Sequence, residues 1–204
     1  MIRTGLTTLV VLLSLAVCAQ ADDVYQLHYA ANLTTNDSVI DITNSGATVS
    51  GGVAQNLCVN VYAFDPAEDQ IACCTCSVTP SGLVSLSLRN SILKNTTTGV
   101  QPTSMEIELI ASTGTCNAAT VTVGQLAHGM LAWMTTYHKI TTVIPAQYIW
   151  EAPTTVITTA LNETPFSFGD LSAAEFAELT NTCSSIQTND GGKGICGGCT
   201  AGGQ

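Results

Sequence analysis

Apolar and polar side chains alternate most regularly over Ser104–Ala111, where Glu106 and Glu108 are interleaved with three apolar residues. Successive side chains of an extended strand point to opposite faces, so this pattern predicts a half-buried β-strand. Residues 57–64 and 70–78 are also rich in β-branched and aromatic types, and a polar turn separates them. These two runs are predicted to form a β-hairpin.

Shorter stretches of similar character predict further strands. They lie at residues 24–29, 38–43, 83–88, 120–123, 141–144 and 148–158, and residues 89–93 fit a single helical turn. The segment 125–137 fits both an amphipathic helix and a strand. Gly129 and the pair Thr135-Thr136 favour a strand over residues 130–138.

One α-helix is signalled late in the chain. Ser172 and Glu175 have the spacing of a capping box, in which each side chain bonds a free amide at the start of a helix. Phe176, Leu179 and Cys183 then follow at helical spacing, which predicts that this cysteine points inward.

Together these elements predict a mainly β protein. We expect a disulfide-stapled antiparallel β-sandwich, immunoglobulin-like in general architecture, with one late α-helix and a Gly/Cys-rich C-terminal tail. The predicted organisation is a signal peptide over residues 1–21, a single β-rich domain over 22–190, and a tail over 191–204 that is tied to the domain.

The first residues have the pattern of a secretory signal peptide. Arg3 precedes the apolar run Leu6–Val17, and Ala19-Gln20-Ala21 fits a cleavage site. The run is shorter than the ~20 residues that a membrane-spanning helix needs. We therefore expect an exported protein, located at the cell surface, outside the cell or in the periplasm, with no membrane span.

The charge balance excludes partners with an anionic surface. The chain has 5 basic and 15 acidic residues, a net charge of −10. Such a chain lacks the basic surface that binds nucleic acid or anionic membranes. The expected partners are a second copy, through strand pairing at a sheet edge, or components of the extracellular surface.

Nine cysteines are present, and removal of the leader would leave eight. An even number in an exported chain predicts a disulfide framework, although roughly a hundred pairings are possible. The candidates are Cys58, Cys73, Cys74, Cys76, Cys116, Cys183, Cys196 and Cys199. Because strand side chains alternate, Cys73 and Cys74 should face opposite ways, while Cys74 and Cys76 share a face.

Two other uses of sulfur are open. Cys74-x-Cys76 and Cys196-x-x-Cys199 together provide four thiolates, enough for a zinc or iron–sulfur site. The second pair has the spacing of a thioredoxin-type redox motif, but it lacks the strand and helix that such motifs require. Disulfides are favoured because an oxidising compartment does not keep thiolates free.

No catalytic, cofactor or metal site is expected. His28, His128 and His138 are scattered, and neither a G-x-S-x-G nor an H-E-x-x-H motif is present. The carboxylates at 65, 68 and 69 could hold calcium, but a solvated turn is the simpler interpretation. We expect a non-catalytic structural or adhesion-type domain.

An alternative function is the binding of a glycan or small ligand. Trp133, Tyr148 and Trp150 are aromatic residues on predicted strands, and aromatic faces are common stacking surfaces for sugars. A thiolate metal-binding protein is the other alternative.

Several segments resemble one group of exported cysteine-containing proteins of the acidobacterial type. The matching segments keep their order along the chain: Asp41-Ile-Thr-Asn-Ser-Gly46, Cys58-Val-Asn-Val-Tyr-Ala-Phe-Asp-Pro66, Cys73-Cys-x-Cys76 with Val78-Thr-Pro80, Glu163-Thr-Pro-Phe166, Leu171-Ser-Ala-Ala174 and Gly194-Ile-Cys-x-x-Cys199. The resemblance implies an exported, cysteine-bridged domain. It assigns no activity and no catalytic residue.

Overall fold

The computed structural model describes residues 24–96, 99–145, 152–189 and 194–199, which contain twelve β-strands and one α-helix. The strands are β1 Tyr25–Ala30, β2 Ser38–Asn44, β3 Val49–Ser50, β4 Val53–Ala54, β5 Leu57–Phe64, β6 Gln70–Val78, β7 Leu83–Ser87, β8 Met105–Ser112, β9 Met130–Ile144, β10 Thr154–Pro165, β11 Ser167–Phe168 and β12 Gly194–Ile195. The helix α1 spans Ala173–Thr188, a π-helical turn spans Leu88–Ile92, and 3₁₀ turns span Leu93–Asn95 and Val123–Gln125.

The strands form two main sheets. The larger has the order β11-β1-β8-β5-β6-β12, the smaller has the order β10-β9-β2-β7, and β3 pairs with β4 separately. Among the described pairs, only β12 and β6 are parallel. The predicted antiparallel β-sandwich with one late helix is confirmed, and the predicted hairpin is β5–β6.

The main core lies between the two sheets. Alternate residues of each strand point into it, so Ile40 and Ile42 of β2 meet Val59 and Val61 of β5 within one buried cluster. A polar contact also crosses this core: the Gln26 side-chain amide of β1 donates to the Met130 carbonyl of β9 at 2.7 Å. Because water does not reach the core, this bond gives the buried carbonyl a hydrogen-bond donor.

Helix α1 covers the outer face of the larger sheet. A second buried cluster contains Tyr62 of β5, Cys73 of β6 and Ile110 of β8 together with Phe176 and Leu179 of α1. The larger sheet is therefore the middle layer of three. This explains why seven of the eight residues of β5 are buried, since apolar material covers both of its faces.

Ser172 caps the start of α1, which confirms the serine half of the predicted capping box. The Ser172 hydroxyl accepts a hydrogen bond from the Glu175 amide at 3.1 Å, which satisfies one of the free amides of the first turn. Leu171 packs on the cluster that contains Phe176. The inward face of the helix, Cys183 included, is buried as predicted.

The structure resolves the ambiguous segment and corrects one prediction. Residues 130–144 form the single strand β9, so the strand interpretation of 130–138 is confirmed. Residues 120–123 are not a strand, because Thr122 caps the following 3₁₀ turn in a reciprocal bond with Gln125. Polar side chains that bond nearby amides compete in this way with strand pairing.

Some predictions lie outside the described residues. These are the signal peptide over 1–21, the strand material at 148–151, and the tail residues 191–193 and 200–204. Within the described ranges, no helix has both the length and the apolar character needed to cross a membrane.

Candidate functional site

The eight predicted cysteines form four disulfides. Cys73 of β6 bonds to Cys183 of α1, with 5.7 Å between their Cα atoms. This bridge holds the helix on the outer face of the larger sheet. Its neighbour Cys74 points to the opposite side of the strand and bonds to Cys196, so the predicted divergence of these two residues is confirmed.

Two parallel bridges fasten the C-terminal segment along β6. Cys74 bonds to Cys196 and Cys76 bonds to Cys199. Between them the segment pairs with the strand, and the Cys196 amide donates to the Thr75 carbonyl at 3.0 Å. A Cβ atom on Gly197 would lie 2.8 Å from the Asn90 carbonyl oxygen. Glycine is required there because the tail passes against the backbone of the π-helical turn.

The fourth bridge joins Cys58 of β5 to Cys116, in the loop that follows β8. The same loop is held by Tyr62, whose hydroxyl donates to the Ala118 carbonyl at 2.8 Å in a buried position. Both contacts fix the loop over the outer face of the sheet, beside α1.

This pairing overturns the two other uses of sulfur. The four cysteines of the proposed metal site do come together, but as two disulfides, which leaves no thiolate to bind a metal. The Cys196-x-x-Cys199 pair is not bonded to itself, because each member bonds to a different strand cysteine. The redox alternative is therefore excluded as well, and the favoured disulfide framework is confirmed.

A cleft of about 320 Å³ opens between α1 and the end of the β5–β6 hairpin. Five carboxylates line it, and no basic residue does within the described part of the chain: Glu68, Asp69, Glu108, Glu175 and Glu178. They come from three separate elements, namely the hairpin turn, β8 and the first half of α1. This cleft was not among the features predicted from the sequence.

Glu108 is the buried member of the cleft, with only 8% of its surface exposed. Its Oε2 atom is buried and has no hydrogen-bond partner, and the Tyr25 hydroxyl lies near the carboxylate. Burial raises the pKa of Glu108 from its ordinary 4.5 to about 7, and the charges of Glu175 and Glu106 add to the rise. The Tyr25 hydroxyl acts in the opposite direction.

The tyrosines beside Glu108 respond to the same environment. Burial, followed by the nearby Glu108 charge, raises the pKa of both Tyr25 and Tyr62 above the usual value of 10. Both hydroxyls therefore stay protonated and act as hydrogen-bond donors at neutral pH.

The hairpin turn uses its own carboxylate to close. One oxygen of Asp65 accepts from the amides of Ala67 and Asp69, at 2.9 and 3.1 Å. Among the residues that the structure describes, no three carboxylates, histidines or cysteines converge as metal ligands. The Asp65 carboxylate therefore serves to close the turn itself.

The histidines do not form a common site in the described part of the chain. The His28 ring lies 2.8 Å from the Tyr29 carbonyl oxygen through Nδ1 and 2.8 Å from the Thr164 hydroxyl through Nε2. Burial lowers its pKa. His128 is exposed on a separate loop, and the His138 side chain lies outside the described atoms.

The aromatic platform proposed for ligand stacking is described only at Trp133. This residue is half-buried on β9, opposite Pro165 of β10 and Asp41 of β2. Tyr148 and Trp150 lie outside the described residues, so the stacking hypothesis stays a prediction.

Sequence patterns could have indicated only part of the acidic cleft. The alternation over β8 places Glu106 and Glu108 on one face, and Glu106 is exposed as that pattern implies. Glu108 is buried because α1, from a distant part of the chain, covers this end of the face. A capping box predicts a helix but does not say where the helix packs.

No protein family, curated protein or solved structure matches the chain.

Proposed function

We propose that this chain is an exported, non-catalytic β-domain with a structural or adhesive role, and that copies of it assemble by strand addition at the β9–β10 ribbon. The observation that carries the proposal is that the β9–β10 ribbon continues past the last pair between β9 and β2. The last pair between β9 and β2 joins Thr136 to Ser38. From Tyr137 to Ile144, β9 pairs only with β10 among the described strands.

A two-stranded ribbon of this length has little independent stability. Isolated hairpins are marginal in water, and a third strand or a covering element usually supports them. On β10, Leu161 is 64% exposed, and Val143 of β9 is 59% exposed. Burial of these exposed apolar side chains would favour the addition of a further strand.

The edge itself lacks the usual protections against pairing. Natural edge strands are commonly short, charged or interrupted by proline. β10 is twelve residues long, contains five threonines, and carries one charged residue, Glu163, with its only proline at the end. The edges of the larger sheet, by contrast, are the two-residue strands β11 and β12.

Four disulfides support the proposed location. Such bridges persist in oxidising compartments outside the cytoplasm, and the predicted leader over residues 1–21 would direct the chain there. They join the helix, a loop and the tail to the larger sheet. Bracing of this kind suits a domain that has to persist in an unprotected environment.

The test is the assembly state of the full secreted chain and of matched variants. We expect sedimentation velocity to show concentration-dependent oligomers, and negative-stain microscopy to show linear or paired particles. Leu161→Asp should shift the protein to monomers, because aspartate disfavours strands and a second copy would bring two such charges together.

Val123→Asp is the control, since Val123 is 61% exposed in a 3₁₀ turn away from the ribbon and the charge change is the same. A wild-type protein that stays monomeric at all concentrations would refute the assembly. Equal effects of the two variants would show that net charge, not the strand edge, governs association.

A further inference from the structure

The acidic cleft beneath α1 contains a polar atom that its surroundings do not satisfy. Glu108 is more than nine-tenths buried, lines the cleft, and has no partner for Oε2. The Nε2 atom of Gln70, which lines the same cleft, is also buried without a partner. Buried polar atoms are almost always paired in folded proteins, so two exceptions in one cleft indicate space for a ligand.

The charge of the lining defines the ligand as a cation. The five ionisable side chains that the structure describes in the cleft are all carboxylates, and the whole chain carries a net charge of −10. Within the described residues, no three of these groups are close enough to hold one metal ion. The carboxylates instead surround a volume of about 320 Å³, at the lower end of the range for small-molecule sites.

The walls of the cleft also offer apolar contact. Phe64 from the end of β5 and Leu179 from α1 line it beside the carboxylates. Long cationic side chains bury their methylene stems against such surfaces and place the charged group among polar atoms. A bare metal ion would make no use of these walls.

We propose that this cleft binds a primary ammonium group at the end of an aliphatic stem, as carried by a lysine side chain of a partner. The ammonium donates a hydrogen bond to Glu108 Oε2 and lies near Glu175, while the stem packs on Phe64 and Leu179. An ammonium has three donors, enough to reach more than one carboxylate. The site is on the opposite side of the larger sheet from the β9–β10 ribbon and does not depend on strand assembly.

The experiment is a calorimetric titration of the full mature chain at pH 8, above the pKa of about 7 for Glu108. The probes are an end-blocked tripeptide with a central lysine, the same peptide with norleucine, n-pentylamine and calcium chloride. We expect saturable binding of the lysine peptide and of the amine, and none of the norleucine peptide. If the peptide binds more tightly than the amine, the ligand is a lysine of a protein. If the two bind equally, the ligand is a free amine.

Variants then locate the site. Glu108→Gln should weaken lysine-peptide binding about tenfold, because the ammonium then donates to a neutral amide oxygen instead of a carboxylate. Glu175→Gln, at an exposed position on α1, should weaken it to a smaller extent and provides a second reading if the first variant folds poorly. Glu163→Gln is the control, since it removes the same charge from β10 of the other sheet.

Several results would overturn the proposal. These are the absence of saturable amine binding to the wild type, equal binding of the norleucine peptide, or an equal loss in the Glu163→Gln control. One-to-one calcium binding that Glu108→Gln abolishes would assign the cleft to a metal instead.

Discussion

Replacement of Glu108 by glutamine should change how the stability of the protein depends on pH. Glu108 is buried next to two other carboxylates, and these surroundings raise its pKa from 4.5 to about 7. Between those two pH values the folded protein holds a proton that the unfolded chain has released. The stability of the wild type therefore falls as the pH rises from about 4.5 to about 7, and the loss is complete above that range.

The size of this effect follows from the pKa difference. A change of one in pKa corresponds to about 1.4 kcal/mol, so the rise would amount to about 3.5 kcal/mol for a fully enclosed group. Glu108 lines an open cleft, and solvent in that cleft screens part of the interaction, so we expect about 1–2 kcal/mol. Glutamine keeps the shape of the side chain and cannot ionise.

The assay is urea denaturation of both proteins with disulfides intact, from pH 5 to pH 8.5. Tyrosine ionisation does not contribute in this range, because the pKa values of Tyr25 and Tyr62 are raised above 10. We expect similar free energies of unfolding near pH 5, and a variant more stable than the wild type at pH 8.5. Glu163→Gln, which removes an exposed carboxylate, should instead follow the wild-type profile.

Parallel pH profiles for Glu108→Gln and the wild type would refute the reasoning. They would mean that Glu108 is ionised at pH 5 in the folded protein. A direct check is the ¹³C chemical shift of the Glu108 carboxyl carbon, which should titrate near pH 7 in the folded state and near its ordinary pKa in urea.

Three further changes test the bracing of the sheet by urea denaturation. Cys73→Ala with Cys183→Ala should lower the free energy of unfolding by about 3 kcal/mol. While the Cys74–Cys196 bridge is intact, the Cys73–Cys183 bond closes a loop of only about 15 residues, and a loop of that size gives a stabilisation of this magnitude. Gly197→Ala should cost about 1–3 kcal/mol, since the added methyl group meets the backbone of the π-helical turn. Tyr62→Phe should cost about 1–2 kcal/mol, because the buried carbonyl of Ala118 loses its donor.

Matched controls separate these effects from general sensitivity to substitution. Gly124→Ala should cost nothing, as no atom lies within 4 Å of its added methyl group. Tyr29→Phe should be neutral, as Tyr29 is 62% exposed. Equal losses in a variant and its control would contradict the explanation for that position. A double cysteine variant as stable as the wild type would show that the bridge does not restrict the unfolded chain.

Local sequence patterns were sufficient for most of the individual elements. The alternation in β8, the β5–β6 hairpin and the capped start of α1 each depend on residues within one or two turns of each other, so their signals lie in short windows. The opposite orientation of Cys73 and Cys74 follows for the same reason, because side chains alternate in any extended strand.

Local patterns did not show which distant segments these elements contact. Which cysteine bonds to Cys74 depends on the path of the tail along β6, and the burial of Glu108 depends on α1 arriving over the face of β8. A strand pattern tells which side chains share a face, but it does not tell what covers that face. The covering segments come from distant parts of the chain, and the free energy that places them is a sum over many contacts with no local signature.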